Sequence, residues 1–224
     1  MCGRYAFFAE LRQLIEYYSI DHVVDEPQNN YNVAPTDPVT IIVNNKGKRE
    51  CRSVRWGLLP NWLEESKLPS YPLINARSES LASNGLFRES YKKRRCIIVA
   101  SGFYEWKQAG KSKAAFFIRW PDKRPLSFAG IYDFRKQSNG NFLASCTIIT
   151  TKANQQTNAI HDRLPVILQS QESEKNWINN SIFDDNYFQH LFDSDIYEAL
   201  LFHQVSPAVG NIRNNNPELI AEIP

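Results

Sequence analysis

Short runs of β-branched and aromatic residues recur along the chain between positions 39 and 168. Each run is five to eight residues long, and β-branched and aromatic residues favour β-strands. The runs are VTIIV at 39–43, CRSVRWG at 51–57, RCIIVA at 95–100, AAFFIRW at 114–120, LSFAGIYD at 126–133, LASCTIIT at 143–150 and LPVIL at 164–168. The sequence therefore predicts a protein built mainly from strands.

Helical periodicity is confined to a few places. An amphipathic helix is predicted early in the chain by apolar residues at helical spacing, namely Leu11, Leu14, Ile15 and Tyr18, and the residues before it are free to form a strand. Further helical signals lie at about 76–93, 171–178 and 187–201. Because strands and long helices do not alternate regularly, the pattern favours an α+β fold around an antiparallel sheet or barrel-like core.

The composition is that of an ordinary globular protein, with 224 residues, 42% hydrophobic and 22% charged. No repeat, low-complexity tract or long linker divides the chain, so we expect a single domain over residues 1–224. The formal net charge is only +2, so a polyanionic partner must be met by a local basic surface. No apolar stretch reaches the ~18 to 20 residues of a membrane span and no secretory signal is recognisable, which predicts a cytoplasmic protein.

The four cysteines are Cys2, Cys51, Cys96 and Cys146. They are far apart and form no CxxC pair, which argues against a zinc ribbon or a thioredoxin-type redox motif. We therefore expect reduced thiols, no metal and no cofactor.

Cys2 directly follows the initiator methionine. Removal of Met1 would place an α-amine and a thiol on the same residue. An α-amine has a pKa of about 7.7 to 8.0, against about 10.4 for lysine, so a useful fraction is nucleophilic at cellular pH. The alternative is that Cys2 is a small buried hydrophobe, as many free cysteines are.

Such an aminothiol has two kinds of substrate. With an amide, the thiolate attacks the carbonyl while the amine serves as base, as in N-terminal nucleophile hydrolases. With an aldehyde, the amine forms a Schiff base and the thiol then closes a stable five-membered thiazolidine. The ring-opened deoxyribose of an abasic site in DNA is an aldehyde that a protein can address selectively, and this second chemistry requires nucleic-acid contacts.

Glu105 lies between Tyr104 and Trp106 in GFYEWK, a strand-like run at 102–107. Strand alternation directs Glu105 to the opposite face from its two aromatic neighbours. It is either a solvent-facing residue of a half-buried strand or a carboxyl in apolar surroundings, with a raised pKa suited to general acid–base catalysis. The spacing leaves both interpretations open.

Two other stretches supply candidate site residues. In AIHDRLP at 159–165, His161 stands just before a predicted strand and is the best histidine for acid–base work, although a lone histidine is often structural. In PLINARSES at 72–80, Asn75 and Arg77 alternate as groups that hold a phosphate or sugar oxygen would. The alternative there is a helix start capped by Asn75. Three other histidines have no such context and are interpreted as structural: His22, His190 and His203.

Candidate nucleic-acid contacts are basic and aromatic. The basic ones are Arg4, Arg77, Arg163 and the run Lys92, Lys93, Arg94 and Arg95. Trp56 and Trp62, in RWGLLPNW, are candidates to stack on bases. The basic run has a second interpretation, the solvated end of a helix.

Seven short motifs occur in an order and spacing that resemble the SRAP family, named for SOS-response-associated peptidases. They are MCGRYA at the N-terminus, YNVAPT at 31–36, RWGLLPNW at 55–62, LINARSES at 73–80, GFYEWK at 102–107, AIHDRLPVIL at 159–168 and VSPAVGNIRN at 205–214. The resemblance runs almost from end to end. It implies a single α+β domain with a curved, barrel-like antiparallel sheet and a few peripheral helices.

The resemblance also implies a function. SRAP proteins shield abasic sites in single-stranded DNA by forming a thiazolidine crosslink through the mature N-terminal cysteine, here Cys2, without a cofactor. By motif, Glu105 is the acid–base that assists ring opening and thiazolidine formation. His161 helps sugar ring opening and the Schiff-base steps, including crosslink reversal, and Asn75 is a sugar or phosphate contact that orients the site.

The same resemblance assigns the DNA contacts. Arg4 and Arg77 are implied to be phosphate clamps and Trp62 a base-stacking wedge, with Arg163 and Thr150 as further contacts. A monomer suits a one-site adduct. Two alternatives stay open. One is an N-terminal nucleophile peptidase, acting either on other proteins or only on its own leading methionine, and the other is a noncovalent single-strand binder. A lyase reaction is compatible with the same site.

Overall fold

The computed structural model describes residues 2–110, 112–155, 157–193 and 200–223. The strands are β1 (Tyr5–Phe7), β2 (His22–Val23), β3 (Asn30–Val33), β4 (Pro38–Asn45), β5 (Lys48–Trp56), β6 (Asn75–Arg77), β7 (Arg95–Ala100), β8 (Gly102–Ala109), β9 (Ser112–Arg119), β10 (Leu126–Lys136), β11 (Phe142–Lys152), β12 (Arg163–Pro165), β13 (Ile167–Leu168) and β14 (Leu201–Val205). The α-helices are α1 (Leu11–Tyr18), α2 (Arg88–Lys93), α3 (Gln171–Ile178) and α4 (Asp185–Leu191).

Five strands form a closed barrel. Strands β5, β4, β7, β10 and β11 pair antiparallel in that order. The ring closes where β11 pairs parallel to β5, with Ser145 opposite Arg55 and Cys146 opposite Trp56. Strand β2 extends from β5, β6 and β12 extend from β11, and β13 pairs with β10. This architecture confirms the predicted α+β fold with a barrel-like core.

A second, antiparallel sheet has the strand order β14, β9, β8, β1 and β3. Within it, Tyr5 on β1 lies opposite Phe103 on β8 and opposite Val33 on β3. The first residue of β8 is a glycine, Gly102, because the ring of Phe117 occupies the space that any side chain at this position would fill. Because β1 lies between β8 and β3, the residues that precede β1 run alongside the middle of β8.

Aromatic side chains of β1 and the barrel form much of the core. The ring of Tyr5 contacts the edge of Trp56 at a centroid distance of 5.3 Å and that of Phe128 at 5.9 Å. All three side chains are fully buried. Trp56 therefore cannot stack on a base, and this part of the sequence prediction is wrong.

The helices are shorter than the sequence suggested. Residues 75–77 form strand β6, so the helix predicted over 76–93 is reduced to a 3-10 turn at Ser78–Ser80 and to α2. The helix predicted over 187–201 corresponds to α4 at its start, residues 194–199 lie outside the described residues, and β14 begins at Leu201. Within the described ranges no helix has the length and apolar character needed to cross a bilayer.

The basic run at 92–95 divides into exposed and buried members. Lys92 and Lys93 are exposed at the end of α2, and Arg94 forms an ion pair with Asp133 at 3.2 Å. Arg95 is fully buried and donates to backbone carbonyls at the ends of α2 and α3. Arg95 therefore cannot reach a phosphate, and its place among the candidate DNA contacts is wrong.

Candidate active site around Cys2

Cys2 is buried in the main hydrophobic core, three residues before the start of β1. The side-chain amide of Asn75 donates a hydrogen bond to the backbone carbonyl of Cys2 at 2.9 Å. Asn75 is held in place because β6 pairs parallel to β11, with Asn75 opposite Ile148. The alternative interpretation of Asn75 as a helix cap is wrong, since it lies in a strand and fixes the N-terminal backbone instead.

Glu105 approaches the same region from β8. The N–H of Tyr104 donates to the carbonyl of Arg4 at 3.0 Å, which aligns this part of β8 with the N-terminal segment. Glu105 is only 3% exposed, so the solvent-facing alternative is wrong. Burial raises its pKa to about 7, because desolvation disfavours the charged carboxylate.

The electrostatics of Cys2 and Glu105 are linked. Burial raises the pKa of the Cys2 thiol well above its ordinary value, and the charge of Glu105 raises it further. The thiol is thus neutral at physiological pH and depends on a neighbouring base for activation. A buried carboxyl with a pKa of about 7 is suited to exchange that proton.

His161 follows the 3-10 turn Thr157–Ala159 and precedes β12. Its Nδ1 accepts a hydrogen bond from the backbone N–H of Arg163 at 3.0 Å, and Asp162 Oδ1 lies 2.8 Å from the same nitrogen. Burial is the main effect that lowers the pKa of His161, so the neutral imidazole is favoured. The charge of Asp162 contributes to the raised pKa of Glu105, which places the His161 segment near that carboxyl.

Arg4 directly precedes β1, and its side chain contacts the C-terminal segment at Val209. Its Nη1 donates to Asn32 Oδ1 at 2.8 Å and to the carbonyl of Val209 at 3.1 Å. Asn32 in turn donates to three backbone carbonyls, those of Val209, Asn211 and Asn214. The buried side-chain amide of Asn32 therefore orients the guanidinium of Arg4, which is two residues from Cys2 in the chain.

Arg77 and Arg163 line one groove of about 440 Å³, together with Lys152 and Asn154. Arg77 is exposed, whereas Arg163 is buried and forms a bidentate ion pair with Glu79. Arg77 therefore has an exposed guanidinium that can bind an anion, whereas the guanidinium of Arg163 is already paired with a carboxylate.

Thr150 lies behind Arg163 in the same region. Its side chain is fully buried, and its carbonyl accepts a hydrogen bond from Arg163 Nη2 at 2.7 Å. Direct contact of DNA with Arg163 and Thr150 stays a prediction.

Trp62 projects from the loop between β5 and β6 and is 52% exposed. The loop is anchored beneath it, because Asp133 accepts from the N–H of Asn61 at 2.9 Å and Arg135 donates to the carbonyls of Pro60 and Leu63. Trp62, Asn61 and Arg94 line a second groove of about 410 Å³. An exposed indole on an anchored loop is available to stack on a base.

The model of one protein family, SOS response associated peptidase (SRAP), matches residues 1–212. The chain belongs to this family. The SRAP protein is 41% identical over 226 residues to the abasic site processing protein YoqW of Bacillus subtilis, a match that covers 98% of this chain and 99% of that one. It is 32% identical over 230 residues to the abasic site processing protein YedK of Escherichia coli, with both chains covered completely.

Solved structures agree with the SRAP fold described above. A crystal structure of a protein from Bacteroides thetaiotaomicron matches with a TM-score of 0.89 and 26% identity, covering 99% of this chain and 100% of that one. The barrel and second sheet are thus shared with a protein of low sequence identity.

Four SRAP motifs meet around the N-terminus. They contribute Cys2, Asn75, Glu105 and His161, linked by the hydrogen bond and electrostatic interactions described above. No group of three or more His, Cys, Asp or Glu side chains that could hold a metal ion occurs in the described part of the chain.

Sequence reasoning missed the roles of Asn32 and Glu79. Both lie in SRAP motifs, YNVAPT and LINARSES, but their partners are distant in the sequence: Val209 to Asn214 for Asn32, and Arg163 for Glu79. For Asn32, a polar residue inside a strand-forming motif was the available signal, since buried polar groups require hydrogen-bond partners. Glu79 is exposed in a 3-10 turn, and no such signal marks it.

Proposed function

We propose that this SRAP protein recognises abasic sites in single-stranded DNA and crosslinks to them through Cys2 after removal of Met1. The observation that carries the proposal is the placement of Cys2 beside Asn75 and Glu105, a buried carboxyl with a pKa of about 7. The names of its relatives, abasic site processing proteins, support the choice of DNA as the substrate.

The chemistry requires only the mature N-terminus and an aldehyde. The α-amine of Cys2 attacks C1 of the ring-opened sugar, and the resulting carbinolamine loses water to give a Schiff base. The thiol sulfur then adds to the imine carbon, a C–S bond forms, and the imine nitrogen takes up a proton. The net reaction joins protein and DNA with loss of one water and needs no oxidant or metal.

Glu105 serves as the proton carrier. Since burial keeps the thiol of Cys2 protonated, a base must remove that proton before or during C–S bond formation. A carboxyl with a pKa of about 7 can accept it and can return a proton to the departing water. Glu105 thereby acts in both steps.

Asn75 and His161 have supporting roles in this proposal. Asn75 fixes the backbone of Cys2, so the amine and thiol reach the aldehyde without a search through conformations. His161, neutral because burial lowers its pKa, donates a hydrogen bond from Nε2–H to the ring oxygen of the closed sugar. Glu105 takes the proton of the C1 hydroxyl and returns it to the ring oxygen, and the ring opens to the aldehyde.

The DNA lies along the basic side of this site. Arg4 and Arg77 bind phosphates on either side of the abasic sugar, and Trp62 stacks on a neighbouring base. This arrangement suits a single strand, because the abasic sugar must leave the base stack to reach a buried thiol.

The first experiment uses the full chain and a single-stranded oligonucleotide with one abasic site. Wild-type protein is expected to give an adduct that survives denaturation without borohydride, with the mass of residues 2–224 plus DNA minus one water. Intact oligonucleotide and the Cys2→Ala variant are the controls. A bare Schiff base would need reductive trapping, so this test separates it from the thiazolidine.

The controls also separate the two alternatives. An adduct of equal yield with Cys2→Ala would contradict the proposed nucleophile. Binding without any adduct, with the mature N-terminus verified by mass, would favour a noncovalent binder. Cleavage of peptides by wild-type protein and not by Cys2→Ala would favour the peptidase.

A further inference from the structure

Glu79 and Arg163 form an ion pair beside the candidate active site. Arg163 Nη1 and Nη2 donate to the two carboxylate oxygens of Glu79, each at 2.9 Å, and Nη2 also donates to the carbonyl of Thr150 at 2.7 Å. The side chain of Arg163 is only 9% exposed. The guanidinium is therefore fixed from two sides by β11 and by the 3-10 turn Ser78–Ser80, with its charge neutralised locally.

The backbone of the same arginine determines what His161 can do. The N–H of Arg163 donates to His161 Nδ1 at 3.0 Å, while Asp162 Oδ1 lies 2.8 Å from that nitrogen. The two contacts exclude each other, because Nδ1 accepts from Arg163 only when unprotonated and donates to Asp162 only when protonated. In the neutral imidazole the choice decides whether the proton is on Nε2 or on Nδ1.

We propose that Glu79 is a positioning residue that selects the Nε2-protonated tautomer of His161 by holding Arg163 in place. Without the carboxylate the guanidinium loses two hydrogen bonds and keeps those to Thr150. Arg163 is the first residue of β12, where the pairing with β11 ends, so a shift of its side chain moves its N–H away from Nδ1 and the contact between Nδ1 and Asp162 becomes dominant. The consequence for catalysis rests on the proposed function, in which Nε2–H of His161 donates a hydrogen bond to the ring oxygen of the sugar. In this interpretation Arg163 acts through His161, and Arg77 is the arginine that meets phosphate.

The test reads the tautomer directly, in the absence of DNA. Long-range ¹⁵N–¹H correlation spectra distinguish a protonated from an unprotonated ring nitrogen, and His161→Gln assigns the signals. Wild-type protein is expected to show the Nε2–H form, Glu79→Gln a shift of the proton towards Nδ1, and Asp162→Asn retention of Nε2–H. Glu50→Gln is the matched control, because it breaks another carboxylate–arginine pair, with Arg52, on β5.

Crosslinking provides the second readout. The single-turnover rate of Glu79→Gln with abasic single-stranded DNA is expected to fall by about ten- to a hundredfold, the usual loss for a misplaced catalytic group, while Glu50→Gln keeps the wild-type rate. If Glu79→Gln fails to fold, Arg163→Lys takes its place, since lysine keeps the backbone N–H and the charge but cannot form the bidentate pair.

The outcomes separate this inference from the proposed function. A folded Glu79→Gln variant with an unchanged His161 tautomer would overturn the positioning role. A shifted tautomer with an unchanged crosslinking rate would overturn its catalytic consequence. A shifted tautomer together with a wild-type protein that forms no crosslink would support the positioning role and contradict the proposed function.

Discussion

Asn75 and Cys2 are joined by a hydrogen bond of 2.9 Å between the side-chain amide of one and the backbone carbonyl of the other. The bond connects strand β6, which extends the barrel at β11, to Cys2, which lies three residues before the start of β1 in the second sheet. The position of the proposed nucleophile is thus determined by the junction of the two sheets.

Replacing Asn75 by alanine should weaken both folding and crosslinking. The carbonyl of Cys2 would lose its partner, at a cost of about 1 to 3 kcal/mol. If the same energy is lost in the transition state, the single-turnover crosslinking rate falls by about tenfold or more. Asn176→Ala is the control, because Asn176 also donates one side-chain hydrogen bond, to Tyr187, far from Cys2 in the sequence. Equal crosslinking by both variants would contradict the role of Asn75.

Glu105 should make folding stability depend on pH in a definite direction. Burial raises its pKa from 4.5 to about 7, so the folded chain holds the proton where the unfolded chain has lost it. Stability contributed by this group therefore falls as pH rises from 4.5 to about 7. Above this pH window the free energy of unfolding of Glu105→Gln should exceed that of wild type by up to roughly 3 kcal/mol. Below the window the two proteins should differ little.

Urea unfolding on either side of the pH window tests this sign. Glu16→Gln, a change of an exposed glutamate on α1, is the control and should show no such dependence. The gain in stability is expected to accompany a loss of crosslinking rate of about a hundredfold or more, since the proton carrier is absent. A difference between Glu105→Gln and wild type that is the same at both pH values would contradict the buried-carboxyl account.

Glu105 also shows what the sequence could and could not predict. The motif GFYEWK predicted the strand β8, but alternation alone could not decide the environment of its glutamate. Tyr104 and Glu105 are both buried, although alternation directs them to opposite faces of the strand. Tyr104 packs in a cluster with Val209 and Leu219 of the C-terminal segment, and Glu105 lies close enough to Cys2 for its charge to raise the pKa of that thiol. These neighbours are about 100 residues later and earlier in the chain, and they leave no local signal.

The same reasoning applies to Asn75 and Arg95. Residues 75–77 carry polar side chains that favour a helix start, yet they form a strand because β11 offers a parallel partner. Arg95 belongs to a run of four basic residues that resembles a solvated helix end, yet the carbonyls of two helix ends enclose it. In contrast, all seven predicted runs coincide with strands, the last of them with two, β12 and β13, because β-branched and aromatic residues fit a pleated, half-buried surface.

Trp62 should contribute to DNA binding without contributing to stability. Trp62→Ala is expected to change the free energy of unfolding by less than about 0.5 kcal/mol, as for most exposed positions, and to weaken DNA binding by about 1 to 3 kcal/mol. Fluorescence anisotropy in a Cys2→Ala background measures reversible binding alone. Phe142→Ala is the control, because it also removes an exposed aromatic ring, in this case from β11, and it should leave the DNA affinity unchanged. If Phe142→Ala lost as much affinity as Trp62→Ala, the effect would be a general one of surface aromatic residues.

Arg77 should account for one phosphate contact. In the same reversible assay, Arg77→Ala is expected to lower affinity uniformly across sequences and to reduce the salt slope by about one. Arg12→Ala is the control, because it removes another exposed positive charge, on α1, where the Arg12 side chain is 90% exposed. This variant should keep the salt slope of the wild type. A slope unchanged by Arg77→Ala would exclude a direct phosphate contact at this position.

Arg95 should be among the residues on which folding depends most. Its guanidinium donates to the carbonyls of Tyr91, Lys92, Trp177, Asn179 and Ile182 at 2.6 to 2.9 Å. These carbonyls come mainly from helix ends, where the backbone lacks its own partners and favours positive charge. Burial lowers the pKa of Arg95 to about 10, so it remains charged at neutral pH.

Arg95→Met should therefore destabilise the fold by about 3 kcal/mol or more, because several buried carbonyls lose their donors at once. Arg95→Lys should recover only part of this loss, since an ammonium has three donors and cannot reproduce the planar fork. Arg12→Met, at an exposed position, should stay within about 0.5 kcal/mol of wild type. Urea unfolding of the three variants gives the comparison, and a lysine variant as stable as wild type would show that charge alone, rather than the fork geometry, holds the ends of α2 and α3 together.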